Sequence, residues 1–144
     1  MYDRILFPLD MANLEAQEQA RKTAFEFAQI HNSELHVLTV VPFLPAHLTE
    51  GYLPEGVEKQ AIESVANKLQ EHIAAKNTGG EVSPKLVVRE GSIYKEILKY
   101  ADEHDIHLII MASHRPELRD YLIGPNSARV VRHSECSVLV VRDC

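Results

Sequence analysis

The sequence predicts an α/β protein built on a parallel sheet with helices on both faces. Three observations carry this expectation. Short apolar runs alternate with longer amphipathic stretches along all 144 residues, in the order β-α-β-α-β-α-β-α-β, the signature of crossover connections between parallel strands. The runs are apolar throughout rather than at every second position, as in strands covered on both faces. No internal repeat, low-complexity tract or linker interrupts the alternation, so one domain spanning 1–144 is expected.

Ile5-Leu6-Phe7-Pro8-Leu9 stops too soon for a helix and reads as the first buried strand. Pro8 marks its end, because a central strand tolerates no missing donor. From Leu14 to Ile30, Ala20, Ala24, Phe27 and Ala28 recur at helical steps between Glu, Gln, Arg and Lys, and Asn13 stands as the N-cap. His31-Asn32-Ser33 ends that helix. Leu35–Val41 is the second strand, and proline-rich Pro42–Pro54 reads as an excursion loop. Val57–Ala75 is a long helix with Ala61, Val65, Leu69 and Ile73 on one face. Gly79-Gly80 separates it from the third strand, Leu86-Val87-Val88. Ser92 caps a helix that directs Ile93, Ile97, Leu98 and Ala101 to the core and ends near His104. Leu108–Met111, Ala128–His133 and Val138–Val141 complete the pattern as strand, short helix and strand.

A net charge of −6 argues against nucleic acid as a partner, since that footprint is usually basic. No apolar run approaches the ~20 residues that span a bilayer, and Met1-Tyr2-Asp3-Arg4 has no leader pattern, so a cytoplasmic protein without membrane contact is expected. Cys136 and Cys144 have neither metal-like nor redox spacing and read as reduced thiols. The eight histidines form no zinc pattern. No G-x-S-x-G elbow, Walker A loop or G-x-G-x-x-G follows any strand, which counts against a hydrolase, a P-loop ATPase and a dinucleotide binder.

Function is sought where open parallel sheets bind ligands, at the carboxyl ends of their strands. Asp10 sits just past the first strand, placed to accept from ribose hydroxyls or an exocyclic amine; a turn or cap is its plainer use. Ser113-His114-Arg115 leaves the fourth strand with groups suited to phosphate, although Arg115 also has Glu117 and Asp120 to pair with. Gly124-Pro125-Asn126-Ser127 opens a helix whose unpaired N–H groups suit an anion, and an ordinary capped turn is the alternative. Arg115, Arg119, Arg129, Arg132 and Arg142 make this segment basic within an acidic chain, which fits a small polyanion or simply a solvated face.

Taken together, these residues resemble the universal stress protein family over nearly the whole chain. The markers are Tyr2-Asp3-Arg4-Ile5-Leu6-Phe7-Pro8-Leu9-Asp10, Gly91-Ser92 before Ile97, and Ile110-Met111-Ala112-Ser113-His114-Arg115-Pro116 through Gly124, Asn126 and Val130-Val131-Arg132-His133. The closing Cys136-Ser137-Val138-Leu139-Val140-Val141-Arg142 also matches. The Ala-Ser-His-Arg-Pro form is most similar to the small bacterial subgroup with the F- and G-type members. The resemblance implies the adenine nucleotide α-hydrolase-like fold, an open five-stranded sheet in the order 3-2-1-4-5. It also implies a homodimer through the last strand.

One branch of that family binds ATP through G-x-x-G, a nine-residue spacer and G-[S/T]. Here Ala112 and Arg115 replace the first two glycines, the spacer to Gly124 is one residue shorter, and Pro125 stands where Ser or Thr is expected. Ala112 is still small, and Arg115 offers a cationic side chain in place of backbone approach.

The expected ligand is therefore ATP or another adenine nucleotide. The backbone near Val40 and Met111 would hydrogen-bond and flank adenine, Asp10 would contact ribose or adenine, and Pro8, Leu9 and Ala112 belong to the same expected site. Ser113, His114, Arg115, Gly124, Asn126 and Ser127 would wrap the phosphates, with Pro125 as a further site residue; an accompanying magnesium ion is compatible with this arrangement. Little or no turnover is expected, because no residue has the look of a tuned nucleophile–base pair. The competing readings are a slow ATP hydrolase, and a dimeric interaction protein that binds no nucleotide.

Overall fold

The computed structural model describes residues 1–42, 57–77, 79–113 and 125–142, with the backbone alone at 57 and 58. Five strands form one parallel sheet: β1 (Arg4–Pro8), β2 (Glu34–Val41), β3 (Lys85–Glu90), β4 (Leu108–Ala112) and β5 (Ser137–Val141), in the spatial order β3-β2-β1-β4-β5. The helices are α1 (Glu18–His31), α2 (Val57–Lys76), α3 (Ile93–Glu103) and α4 (Pro125–His133), with one 3-10 turn at Glu15–Gln17. Fold class and strand order are those expected from the sequence.

The continuous apolar strands serve two cores, because successive side chains point to opposite faces. Ile5, Phe7 and Leu9 of the β1 segment join Leu35, Val37, Leu108 and Ile110 on one face, under Ala20, Ala24 and Ala28 of α1 and Leu69 and Ile73 of α2. Leu6, Leu38, Ile109 and Met111 face the other way, against Ile97, Tyr100 and Ala101 of α3 and Val130 of α4. Full burial of such a side chain is worth about 1.5–3 kcal/mol.

Three local expectations are corrected. Asn13 does not cap α1: its side-chain amide donates to Asp10 Oδ2, and the chain makes the 3-10 turn before α1 begins at Glu18. Ser92 occupies the N-cap position of α3, but its hydroxyl makes no capping bond. The last helix starts at Pro125 rather than Ala128, because proline's fixed φ and missing N–H suit a first helical position. Elsewhere α1 ends at Asn32 in a left-handed conformation (φ 52°, ψ 47°), with Asn32 N–H returning to Ala28 and Gln29 carbonyls. Along α2, Leu69 and Ile73 are buried, whereas Ala61 is exposed and Val65 half-buried. The proposed excursion loop lies mostly outside the described residues, as does Cys144; Cys136 is a free thiol.

Candidate functional site

The sheet opens where β1 and β4 part. β1 pairs with β2 along its whole length, from Arg4↔Glu34 to Pro8↔Leu38. With β4 it pairs only at Ile5↔Leu108 and Leu6↔Ile109, while β4 stays with β5 through Ala112↔Val141. The connections to the neighbours of β1 run in opposite directions from this point, which makes it the topological switch point of the sheet. Pro8 fits here for a local reason. Arg4 accepts the N–H of His107 on the β4 side, and strand alternation puts Leu6, Pro8 and Asp10 on that side too. The donor that Pro8 lacks would have pointed into the gap.

A cavity of about 370 Å³ fills this gap, within the ~300–1,000 Å³ of small-molecule sites. Pro8, Leu9, Asp10, Val40, Met111, Ala112, Pro125, Asn126 and Ser127 line it together with Ala12, Asn13, Ala16, Gln17, Leu38, Pro42, Ile93 and Ile97. Nine of the sequence-predicted residues therefore meet around one volume. Ser113 is not among the lining residues. It is buried, and its N–H donates to Val141 O at 3.0 Å, which ties the end of β4 to β5. His114, Arg115 and Gly124 lie outside the described residues.

The polar groups sit at two ends of an otherwise apolar chamber. At one end, Asp10 Oδ1 accepts Ala12 N–H and Oδ2 accepts the Asn13 amide, each at 2.9 Å, so the carboxylate is held in the turn after β1. Gln17, 7% exposed, pairs with the Asp10 backbone. At the other end, α4 begins with Pro125, Asn126 and Ser127. First-turn N–H groups have no partner within their own helix. Ser127 Oγ donates to Ala112 O at 2.9 Å, fastening this helix start to the end of β4. The Ser127 hydroxyl hydrogen is thus committed to protein, and its backbone N–H is the group that can face an anion.

Between these ends lies the β2 edge. Leu38 O accepts Leu9 N–H on the β1 side, and Val41 O accepts Gly91 N–H on the β3 side. Alternation therefore aims the Val40 carbonyl toward β1, beyond the last β1 residue that pairs, which leaves an acceptor at the cavity wall. Leu38, Ile93, Ile97 and Met111 supply apolar surface around it. The chamber can take a flat, partly apolar group carrying an amine, next to a hydroxylated or cationic part at Asp10 and an anion at α4.

Sequence reasoning missed Ala12, Asn13, Ala16, Gln17, Leu38, Pro42, Ile93 and Ile97 as site residues. For Ala16 and Gln17 the only available signal was their place in the first turns after the strand. Among the described residues no group of three or more His, Cys, Asp or Glu is placed to hold a metal ion. No helix among them is long and apolar enough to cross a membrane.

The model of the universal stress protein family matches residues 1–142. Universal stress protein G of Shigella flexneri is 26% identical over 145 residues, covering 99% of this chain and all of that protein. Universal stress protein MJ0577 of Methanocaldococcus jannaschii is 27% identical, with 99% and 96% covered. Among solved structures, a MJ0577 structure superposes with a TM-score of 0.76 at 24% identity, covering 100% of this chain and 98% of that one. A universal stress protein solved in complex with cAMP superposes at 0.67, with 16% identity and 99% and 98% covered. With the sheet order, the switch-point cavity and a family match from end to end, the chain belongs to the universal stress protein family.

Proposed function

We propose that this chain is an adenine-nucleotide-binding regulatory protein with little or no turnover, acting in the cytoplasm. The observation that carries the reading is the cavity where β1 and β4 diverge, with a carbonyl acceptor at Val40, a carboxylate at Asp10 and a helix start at Pro125. Adenine presents a 6-amino donor to the Val40 carbonyl, where guanine would present an oxygen and repel it. Pro8, Leu9, Met111 and Ala112 surround the base. Asp10 accepts from ribose hydroxyls. The phosphates lie toward Pro125, Asn126 and Ser127, where N–H groups and the helix dipole favour negative charge. Ser113, His114, Arg115 and Gly124 belong to the same end in the sequence. Any magnesium ion would arrive on the phosphates, since no cluster of ligating side chains forms among the described residues. The relative solved with cAMP supports an adenine nucleotide as ligand class.

Calorimetry with ATP and GTP tests this. ATP is expected to bind at least about tenfold more tightly, which is about 1.4 kcal/mol of discrimination. Equal affinities contradict the role of the Val40 carbonyl, and no binding of either contradicts the reading. Release of phosphate from labelled ATP well above a protein-free control would favour the slow hydrolase instead.

A second reading rests on β5. It closes one edge of the sheet, and its residues Val138–Val141 are only half-buried. An open apolar edge invites a strand from a second copy across a two-fold axis. A homodimer through β5 is compatible with nucleotide binding. It becomes the whole function only if ATP leaves the thermal midpoint unchanged and no nucleotide accompanies the purified protein.

A further inference from the structure

β1 is the central strand, yet beyond Leu6 it has no strand partner on the β4 side. Asp10 faces that side, with one backbone donor and one acceptor to satisfy. Continuing the register would set it opposite Ser113, but Ser113 donates to Val141 on the far side of β4. Unmet backbone groups at such a place cost about 1–3 kcal/mol each.

The side chain of Gln17 meets both, and Asn13 N–H adds a longer bond of 3.2 Å to the Asp10 carbonyl. Its Oε1 accepts Asp10 N–H at 2.8 Å, and its Nε2 donates to Asp10 O at 2.7 Å. The second hydrogen of Nε2 goes to Asn13 O at 2.8 Å. A carboxamide has the same donor and acceptor as a peptide unit, so Gln17 stands in for the missing strand. On the β2 side the segment is held independently, with Leu9 N–H on Leu38 O and Thr39 Oγ1 donating to Leu9 O. The clamp reaches the carboxylate as well. Asn13, whose carbonyl Gln17 holds, donates its own amide to Asp10 Oδ2, and Ala12 N–H donates to Oδ1.

We propose that Gln17 is a positioning residue of the cavity: it replaces β4 as the partner of Asp10, keeps β1 and β4 apart, and fixes the Asp10 carboxylate for the nucleoside. The inference rests on the nucleotide reading above for its ligand, but the clamp itself has a test that needs none. Gln17 acts through Asp10 rather than as a separate ligand contact. Its effect on affinity must therefore vanish when the carboxylate is gone, although Asp10→Ala leaves the backbone that Gln17 grips.

The first arm is a double-mutant cycle by calorimetry with ATP. Gln17→Met and Asp10→Ala are each expected to weaken binding about tenfold, as for a hydrogen bond to a charged group. The double variant is expected to match Asp10→Ala alone. Losses that multiply would overturn the proposal.

The second arm measures amide exchange without ligand. In Gln17→Met, the protection factors of the Asp10 and Ala12 amides are expected to fall at least about tenfold while that of Leu38 holds. Unchanged Asp10 protection would overturn the clamp.

Gln17→Glu guards against a variant that fails for bulk reasons. At neutral pH its carboxylate still accepts Asp10 N–H but has no proton for the carbonyls of Asp10 and Asn13. Protection of the Ala12 amide, which reports the Asp10 turn, is therefore expected to fall while that of Asp10 holds. Unchanged Ala12 protection would mean that Gln17 only fills space. If the native chain binds no ATP, the nucleotide reading falls and the exchange arms alone judge the clamp.

Discussion

Two side chains show how single residues set the ends of this sheet. Ser127 joins the start of α4 to the carbonyl of Ala112. Ser127→Ala removes the donor and leaves that carbonyl unmet, so a loss of about 1–2 kcal/mol is expected in urea unfolding. At the opposite end, His36 is buried within β2, with Tyr100 hydroxyl at Nδ1 and Glu34 Oε1 at 3.0 Å from Nε2. Burial holds its pKa below the ordinary 6.5; Glu34 works against that shift, while Lys85 and His104 reinforce it. The unfolded chain thus takes up a proton that the folded chain refuses. Stability is full above pH 6.5 and is lost as pH falls below it toward the folded value. His36→Gln, which does not titrate, is expected to lose less stability than the native chain between pH 7.5 and 5.5. His72 is lowered by burial too and contributes in the same direction, so some slope remains. An equal loss in both proteins would exclude His36 as a source of the acid sensitivity.

At the scale of elements, α1 and α2 illustrate what periodicity can and cannot tell. Every strand was readable as an apolar run because both faces of a parallel sheet are covered. The buried stripe of α1 was readable because Ala20, Ala24 and Ala28 fall at strict four-residue steps. Asn32 was readable as a stop, and its left-handed backbone explains why. Asn32→Gly is expected to be neutral or slightly stabilising, and Asn32→Ala to cost about 1 kcal/mol, in thermal unfolding.

Gln17 was not readable, because a polar residue followed by Glu18 and Gln19 looks like the solvent face of a helix. Its purpose appears only once the turn after β1 brings the Asp10 backbone beside it. His36 was hidden in the opposite way, as one polar residue inside an apolar strand whose partners lie on other elements. In α2, Ala61 and Val65 share the stripe of Leu69 and Ile73 by spacing alone, yet only the latter two are buried. Amides of the first half of α2 are therefore expected to exchange faster than those around Leu69 and Ile73; equal protection along the helix would contradict this.

For the whole molecule, topology does most of the work of building a site. The order β3-β2-β1-β4-β5 forces a switch point beside β1, and the early parting of β1 from β4 turns it into a chamber. The succession of strands and helices predicts the parallel sheet and the family resemblance implies its order, whereas the early parting is a finding of the structure. The Gln17 clamp was not legible, since it depends on how the chain folds back after β1. The same topology leaves β5 at an edge. Light scattering is expected to give twice the 16.3 kDa chain mass, and Val140→Lys, which puts a charge on the edge strand, is expected to halve it. A native chain that scatters as a monomer would remove the β5 dimer.

The central claim is that the chamber between β1 and β4 holds an adenine nucleotide with its base at Val40 and its phosphates at α4. Amide chemical-shift mapping during a titration with ATP tests it most directly. Saturable shifts are expected at Val40, Asp10, Asn126 and Ser127, with Leu69 and Ile73 unmoved. Shifts that miss the chamber, or none at millimolar ATP, would contradict it.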